Sequence, residues 1–409
     1  MATKFKTKAL ELICLCMSRF HIAIEVRSRI SCANVFIQFA QRLNCAESLK
    51  LSLDKEKITF NHPTFHCDIL LSQHFNMVTD SLINLKVDED NAAFRMSIKC
   101  IHMEDKWPSD ETYWKEIDLL PQIEENQEVS LRCSNCDFVL CPKQTYNRVR
   151  AYPSSSMELS DFFCHHRADF GEVLIPQIQD LFYGFECIIL NRESLQGMIR
   201  AKETHLYCKR CLKFIGETLF RDKAAKLWSD AFTINGASSC RNVFPLNNLN
   251  NIQRLMFKIV RESSSTMPLY GNVHFVKVVL ESKFPNRKNK YLLLHMLEKH
   301  LTILRGGKCE EVDSSMAQQK SSQIDLIPYR AFKLLYRLIN CDQDCKRDDK
   351  SHIQPLLMYW QKDINILSLK ISPYLFSELL DELERNTLLL PKMYRESTDE
   401  FLSSYLFYN

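Results

Sequence analysis

Two cysteine pairs, Cys133-Ser-Asn-Cys136 and Cys208-Lys-Arg-Cys211, constrain this chain more than any other feature. Two residues between cysteines let both thiolates face one ion from a tight turn. A second such pair completes a tetrahedral four-sulfur site, the closed arrangement of structural zinc. About seventy residues separate the pairs, which is long for a local finger. The spacing therefore predicts two strand-borne knuckles brought together by a folded domain, with a turn at Gly216-Glu217 behind the second. The competing reading is chance spacing among unpaired core thiols, since the chain holds 17 cysteines in 409 residues. A redox pair would need a thioredoxin-like strand-turn-helix setting, and none is present. Four thiolates leave no open position for water, so the site is expected to be structural. Metal binding of this kind contributes about 10 kcal/mol or more to folding.

The rest of the composition mainly excludes. A chain of this length predicts about two or three structural units. Lys and Arg number 53 against 50 Asp and Glu, for a net charge of +3. That balance gives no concentrated basic face for a nucleic-acid backbone, so no direct nucleic-acid binding is expected. Glycine is scarce, with 8 in the chain. Neither G-x-G-x-x-G nor G-x-x-x-x-G-K-[ST] occurs, which argues against phosphate-cradling loops, and H-E-x-x-H and G-x-S-x-G are also absent. The odd cysteine count points to a reducing compartment, cytoplasmic and nuclear. Lys4, Lys6 and Lys8 before an apolar run faintly mimic a signal peptide, but Glu11 interrupts the run. No stretch approaches the length of a membrane span, so no membrane partner is expected.

Read in order, the chain predicts an α+β protein. The N-terminal half is mainly β and carries the four-Cys zinc site; the C-terminal half is mixed α/β. Pattern changes divide it into an N-terminal β domain (1–128), a zinc-knuckle region (129–240) and an α+β region (241–409). His21 to Arg27 alternates like a half-buried strand, and Val35 to Phe39 makes a hairpin partner. Ile58 to Phe60, Leu82 to Val87, Phe138 to Leu140, Phe185 to Asn191 and Leu206-Tyr207 read as further strands. Residues 102–128 read as a connecting loop. Ile252, Leu255, Met256, Ile259 and Val260 follow a helical stripe. Asn272 to Glu281 and Tyr291 to Leu304 return to strand, with a turn at Glu298-Lys299. Residues 308–325 read as a polar surface loop after Arg305-Gly306-Gly307. Phe332, Leu335, Tyr336 and Ile339 suggest a helix. Ser372-Pro373 caps a last helix with the stripe Phe376, Leu379, Leu380 and Leu383.

Several polar clusters could carry chemistry. Phe162-Phe163-Cys164-His165-His166 lies between the two pairs. Its Cys164 could complete a second metal site, be offered to a metal held by a partner, or be a partly buried thiol beside surface histidines. His66-Cys67-Asp68 resembles a nucleophile with its base, but adjacent strand residues point to opposite faces, so no dyad is expected. Cys141 is a spare thiol near the site. Cys341 and Cys345 fall in a charged stretch that reads as a solvated loop. Residues 213–235 mix aromatics with charges, which predicts core packing or, alternatively, an exposed patch for a partner.

The order R-C-S-N-C, then F-F-C-H-H, then Y-C-K-R-C-L-K-F-I-G-E-T resembles the HECT-like ubiquitin ligase family that binds ubiquitin-conjugating enzymes. The strongest match is Cys208 to Cys211 with Gly216-Glu217-Thr218 behind it. Weaker similarity runs from Ile24-Glu25-Val26-Arg27 to the C-terminal helix. The resemblance implies Zn2+ on Cys133, Cys136, Cys208 and Cys211. It implies a conjugating enzyme docked on about Lys213 to Asn235, acceptance of ubiquitin, and its transfer to protein substrates. Such transfer needs a thiolate nucleophile. Cys240, in Ala-Ser-Ser-Cys-Arg, is the candidate near that segment, although the usual HECT catalytic context is not recognisable around it.

The same family is similar to proteins that bind the zinc endonuclease subunit of the cleavage and polyadenylation machinery. The resemblance then implies an alternative role, inhibitor or chaperone of that nuclease, with Cys164 as ligand to the partner's zinc and His165 in support. A thiolate is a strong zinc ligand and would displace the catalytic water. The sequence departs from relatives in having Phe163 where some carry a second cysteine, and in having His166 after His165.

Overall fold

Alternation in the first strands sets the architecture. In a computed structural model, which describes residues 20–63, 65–99, 123–152, 174–195, 197–235, 240–241, 250–265, 276–285, 288–306, 309–312, 321–342 and 354–408, Phe20–Arg27 pairs antiparallel with Cys32–Phe39. Ile22, Ile24 and Val26 enter one core. The strand is not half-buried as expected: Ala23 and Glu25 on its other face are also buried. The reason is a ten-stranded sheet packed on both sides. Its order is Leu367–Lys370, Val276–Lys283, Lys288–Arg305, Phe20–Arg27, Cys32–Phe39, Asn91–Lys99 and Asn76–Met77. Ile327–Asp342 and Leu402–Tyr408 extend it beside Lys288–Arg305, and Ile83–Val87 pairs with Asn91–Lys99. Strands from both ends of the chain thus share one sheet.

Three smaller sheets complete the fold. A five-stranded sheet runs Cys309–Val312, Ser321–Asp325, Phe65–Leu70, Lys57–His62 and Lys50–Leu53. A seven-stranded sheet runs Arg148–Ala151, Asp180–Gly184, Cys187–Asn191, Ala224–Trp228, Phe214–Leu219, His205–Cys208 and Ile199–Lys202. A four-stranded sheet runs Val139–Thr145, Glu128–Cys133, Phe232–Asn235 and Cys240–Arg241. The chain is mainly β. Among the described residues the α-helices are Asn251–Ser265, Gln354–Lys362, Pro373–Thr387 and Lys392–Arg395, all beyond residue 250. The first buries its expected stripe, Ile252, Leu255, Met256, Ile259 and Val260, each such side chain worth about 1.5–3 kcal/mol of transfer free energy. The third starts as expected: the Ser372 hydroxyl accepts the Leu375 N–H at 3.0 Å, with Pro373 in the first turn. No helix among the described residues is long and apolar enough to cross a membrane.

Four local expectations are corrected. Phe332, Leu335, Tyr336 and Ile339 lie on a strand, Ile327–Asp342, paired on one side with Lys288–Arg305 and on the other with Leu402–Tyr408. Both faces of that strand are covered, so Phe332, Leu334 and Tyr336 reach one core while Ala331 and Ile339 reach others. A strand apolar on both faces can contain a helical stripe by accident. Glu298-Lys299 is not a turn: Lys288–Arg305 passes through it with register shifts around Glu298, a bulge in a continuous strand. The stretch 308–325 carries two strands, and Ser321–Asp325 pairs parallel with Phe65–Leu70. Gly216 and Glu217 lie inside the strand Phe214–Leu219. Glycine is required at 216 because a Cβ would meet the Lys226 carbonyl oxygen at 1.9 Å.

Candidate metal centre

Each cysteine pair closes the same small loop. In the first, the Cys133 N–H donates to the Phe138 carbonyl at 2.8 Å, and the Asp137 N–H donates to the Cys133 carbonyl at 2.9 Å. In the second, the Cys208 N–H donates to the Lys213 carbonyl at 2.9 Å, and the Leu212 N–H donates to the Cys208 carbonyl at 3.0 Å. The residue after each second cysteine is left-handed, Asp137 at φ 57° and Leu212 at φ 59°. For a residue with a Cβ that conformation costs about 1–2 kcal/mol. Leucine has no side-chain hydrogen bond to offset it, so the loop must be held by what its ends bind. Cys133 ends a strand of the four-stranded sheet and Cys208 ends a strand of the seven-stranded sheet. The two knuckles meet where those sheets meet, as the spacing predicts.

The four thiols converge. Cys133 Sγ lies 3.6 Å from Cys211 Sγ, and Cys136 Sγ lies 3.6 Å from Cys208 Sγ. All four sulfur atoms lie within 4.8 Å of one another. A tetrahedral ion with bonds of about 2.3 Å to sulfur requires sulfur–sulfur distances of about 3.8 Å, so the residues fit one ion. Cys133 and Cys208 are buried; Cys136 and Cys211 are half-buried. Burial pushes the Cys133 thiol up to about 12, against the Asn135 and Cys136 backbone N–H groups that favour its thiolate. Burial also raises Cys136, opposed by the Phe138 N–H. At Cys211 burial is outweighed by the Asn135 side chain, the Lys213 N–H and neighbouring thiols, which bring it down to about 6. Backbone N–H groups aimed at sulfur are what a cluster of thiolates on a cation needs to spread its negative charge.

Other sequence candidates fare differently. Cys67 is buried while His66 and Asp68 face each other at 3.6 Å on the opposite side of the strand, so the thiol and the two polar side chains are separated as strand geometry requires. Cys141 is fully buried, 3.8 Å from the Tyr146 hydroxyl, and burial raises its thiol. It packs beside the centre without joining the thiol cluster. Cys341 lies on a strand, its Cα opposite Asn289, rather than in a loop. Cys240 lies on the short strand that pairs with Ile234-Asn235. Cys164, His165 and His166 lie outside the described residues, as do Cys345, the bulk of the 102–128 loop and the Lys4 to Glu11 start.

Residues 213–235 form the hairpin Phe214–Leu219 and Ala224–Trp228, then a turn at Ser229–Ala231 and the strand Phe232–Asn235. Ile215, Leu227, Trp228 and Phe232 are core. The exposed part is the hairpin turn, where Phe220, Arg221 and Asp222 are all left-handed, at φ 53°, 53° and 70°. Arg192 pins it by donating from Nε to Asp222 at 3.2 Å and from its N–H to the Lys223 carbonyl at 3.0 Å. An open cavity of about 730 Å³ lies beside it, lined in part by Arg192, Glu193, Asp222 and Lys223. Sequence reasoning missed the polar groups that bind this region to the rest, Ser134, Glu186, Asp230 and Arg254. Their partners are distant in sequence, and no local pattern marks them.

The family described as HECT-like ubiquitin-conjugating enzyme (E2)-binding matches residues 25–402. An E3 ubiquitin-protein ligase of the mouse, Mus musculus, is 24% identical over 273 residues, covering 64% of this chain and 67% of its own. No solved structure matches.

Proposed function

Because the chain belongs to the HECT-like ubiquitin-conjugating enzyme (E2)-binding family, we propose that it is a ubiquitin-protein ligase, docking a charged conjugating enzyme and passing its ubiquitin to protein substrates. The match over residues 25–402 is the observation that carries the reading. The docking surface is the segment Lys213 to Asn235, whose pinned turn at Phe220 to Lys223 projects from the seven-stranded sheet. Cys133, Cys136, Cys208 and Cys211 would hold Zn2+, and four sulfur ligands leave it no open coordination position. Its role is to fix the knuckle from which the docking hairpin starts. Such a centre suits the reducing cytosol and nucleus.

Transfer through the chain itself would require a thiolate to attack the thioester carbonyl of the charged enzyme and expel that enzyme's thiolate. Among the described cysteines outside the thiol centre whose burial is given, Cys32, Cys67, Cys141 and Cys187 are buried, while Cys45 is exposed. Cys240 is the candidate, because its strand pairs with the end of the docking segment. A single-turnover assay with labelled ubiquitin tests this. The expected product is a reductant-sensitive adduct on the chain, lost in Cys240→Ser. An adduct on no cysteine removes the covalent step and leaves docking. Failure to bind any charged conjugating enzyme overturns the reading.

A second reading is favoured by one observation: the thiol centre is complete with four ligands and does not require Cys164. On this reading Cys164, supported by His165, ligates the zinc of the cleavage and polyadenylation endonuclease and inhibits it. Cys164→Ser should abolish inhibition while leaving the fold intact; unchanged inhibition removes Cys164 from that role.

A further inference from the structure

The three-residue turn Ser229–Ala231 touches both knuckles and the cap of one long helix, and reaches the other long helix through Glu186. Toward the knuckles it offers carbonyls. The Asp230 carbonyl accepts from the Ser134 hydroxyl at 2.9 Å and from Lys213 Nζ at 3.1 Å. The Ala231 carbonyl accepts the Ser134 N–H at 3.0 Å. Lys213 Nζ also donates to the Ser134 hydroxyl at 2.7 Å. Ser134 sits inside the first cysteine pair, and Lys213 follows the second by two residues, so one short contact network senses both halves of the thiol centre.

Toward the helices the same turn offers side chains. The Ser372 hydroxyl donates to the Asp230 carboxylate. Ser372 is the cap of Pro373–Thr387, and its oxygen in turn accepts the Leu375 N–H at 3.0 Å. An anion at a helix N-terminus meets unsatisfied N–H groups and the positive end of the helix dipole. Ser372 is 3% exposed, so water offers no ready substitute for the carboxylate. On the other side, the Ser229 hydroxyl donates to Glu186, whose carboxylate forms a buried ion pair with Arg254 at 3.1 Å. Arg254 belongs to Asn251–Ser265, and the two long helices share one core.

We propose that Asp230 is a positioning residue that ties the thiol centre to the N-terminus of the helix Pro373–Thr387, so that ion binding at the four thiols sets how firmly that helix is capped and docked. The ion fixes Ser134 and Lys213 relative to each other. Those two fix the carbonyls of the turn, and the turn fixes the carboxylate over Ser372. This deepens the proposed docking role, because Lys213 and Asp230 both belong to the docking segment, and it rests on that reading for its functional meaning. The coupling itself needs no conjugating enzyme.

Hydrogen exchange resolved by mass spectrometry on the whole, zinc-loaded chain tests it. Removing zinc with a chelator should speed exchange of the knuckle amides and also of the first turn of Pro373–Thr387, the latter by roughly five- to tenfold, the order expected for loss of a helix cap. Asp230→Ala, still loaded with one zinc per chain, should show that helix effect without chelation. Ser134→Ala combined with Lys213→Met keeps all four ligands and Asp230. In that variant the Ser134 N–H bond to the Ala231 carbonyl remains, so chelation should still speed the knuckles but should speed the helix by less than in wild type. If chelation leaves the wild-type helix unchanged while the knuckles open, the coupling is overturned; so too if the double variant transmits the effect in full. Failure to bind a conjugating enzyme would strike the proposed function and leave this exchange pattern standing.

Discussion

The region around the thiols and the ten-stranded sheet are both mostly β, yet they are held together by different physics. The seven strands beside the thiols are four to six residues long. The two strands at the heart of the large sheet run 18 and 16 residues. Of the twelve non-glycine residues with positive φ among the described residues, eight fall between Asn126 and Asp222. Short strands joined by strained turns give few ladder bonds per turn closed, and the turns persist only if their ends are tied. Here the candidate tie is the cluster of four converging thiols. The long strands bury Leu292, Leu294, Phe332 and Leu334 on one face and Leu293 and Ile339 on the other. They draw on apolar burial and owe nothing directly to a metal.

The largest expected effect tests that difference. Chelation, or Cys208→Ser, should remove a contribution on the order of 10 kcal/mol from the thiol region. Limited proteolysis should then cut between residues 123 and 235 while the long hairpin stays protected. If both regions lose protection together, the distinction fails. The converse change is Phe332→Ala, at a residue 1% exposed. It should cost about 3–5 kcal/mol in denaturant unfolding while leaving metal content at one ion per chain. Loss of the ion in that variant would mean that the small sheets fold only on the large one.

The same contrast explains what could be read from residues alone. The thiol centre was legible because a four-sulfur ion site needs a fixed spacing, and Cys133, Cys136, Cys208 and Cys211 display it. The capped helix at Ser372-Pro373 was legible because its signals are local. The strand Ile327–Asp342 was not, since a strand buried on both faces loses the alternation that marks it, and Phe332, Leu335, Tyr336 and Ile339 then mimic a helix. Ser321–Asp325 was missed because its partner, Phe65–Leu70, lies some 250 residues away in sequence and its residues other than Ile324 are polar. Gly216 looks like a turn residue in the sequence, yet its role is to let the Lys226 carbonyl approach. Glu186, Asp230 and Arg254 carry no signal at all until the fold brings them together.

Glu25 offers the finest test, because it is a charge buried inside the apolar region. It is fully buried, accepting from Lys333 Nζ at 2.5 Å, the Tyr405 hydroxyl at 2.6 Å and Asn34 Nδ2 at 2.9 Å, with Arg27 at 3.3 Å. Burial alone would raise its carboxyl, but Lys333 and Arg27 outweigh burial and hold it at about 2, against an ordinary 4.5. A carboxyl depressed in the folded state stabilises above its unfolded value and loses that contribution as pH falls through the folded one. The span from 4.5 to about 2 corresponds to about 3 kcal/mol. Acid would also protonate the thiolates of a metal-loaded four-cysteine cluster, so the total acid response mixes both regions. Comparison with Glu25→Gln separates them, because the variant keeps every thiol and lacks only this titration. The stability gap between wild type and variant, measured by denaturant at each pH, should shrink by about 3 kcal/mol between pH 4.5 and 2. A gap that stays constant would mean that the fold does not hold the Glu25 carboxyl below its ordinary range. The large sheet would then be held by apolar burial with no ionic clasp between its N-terminal and C-terminal strands.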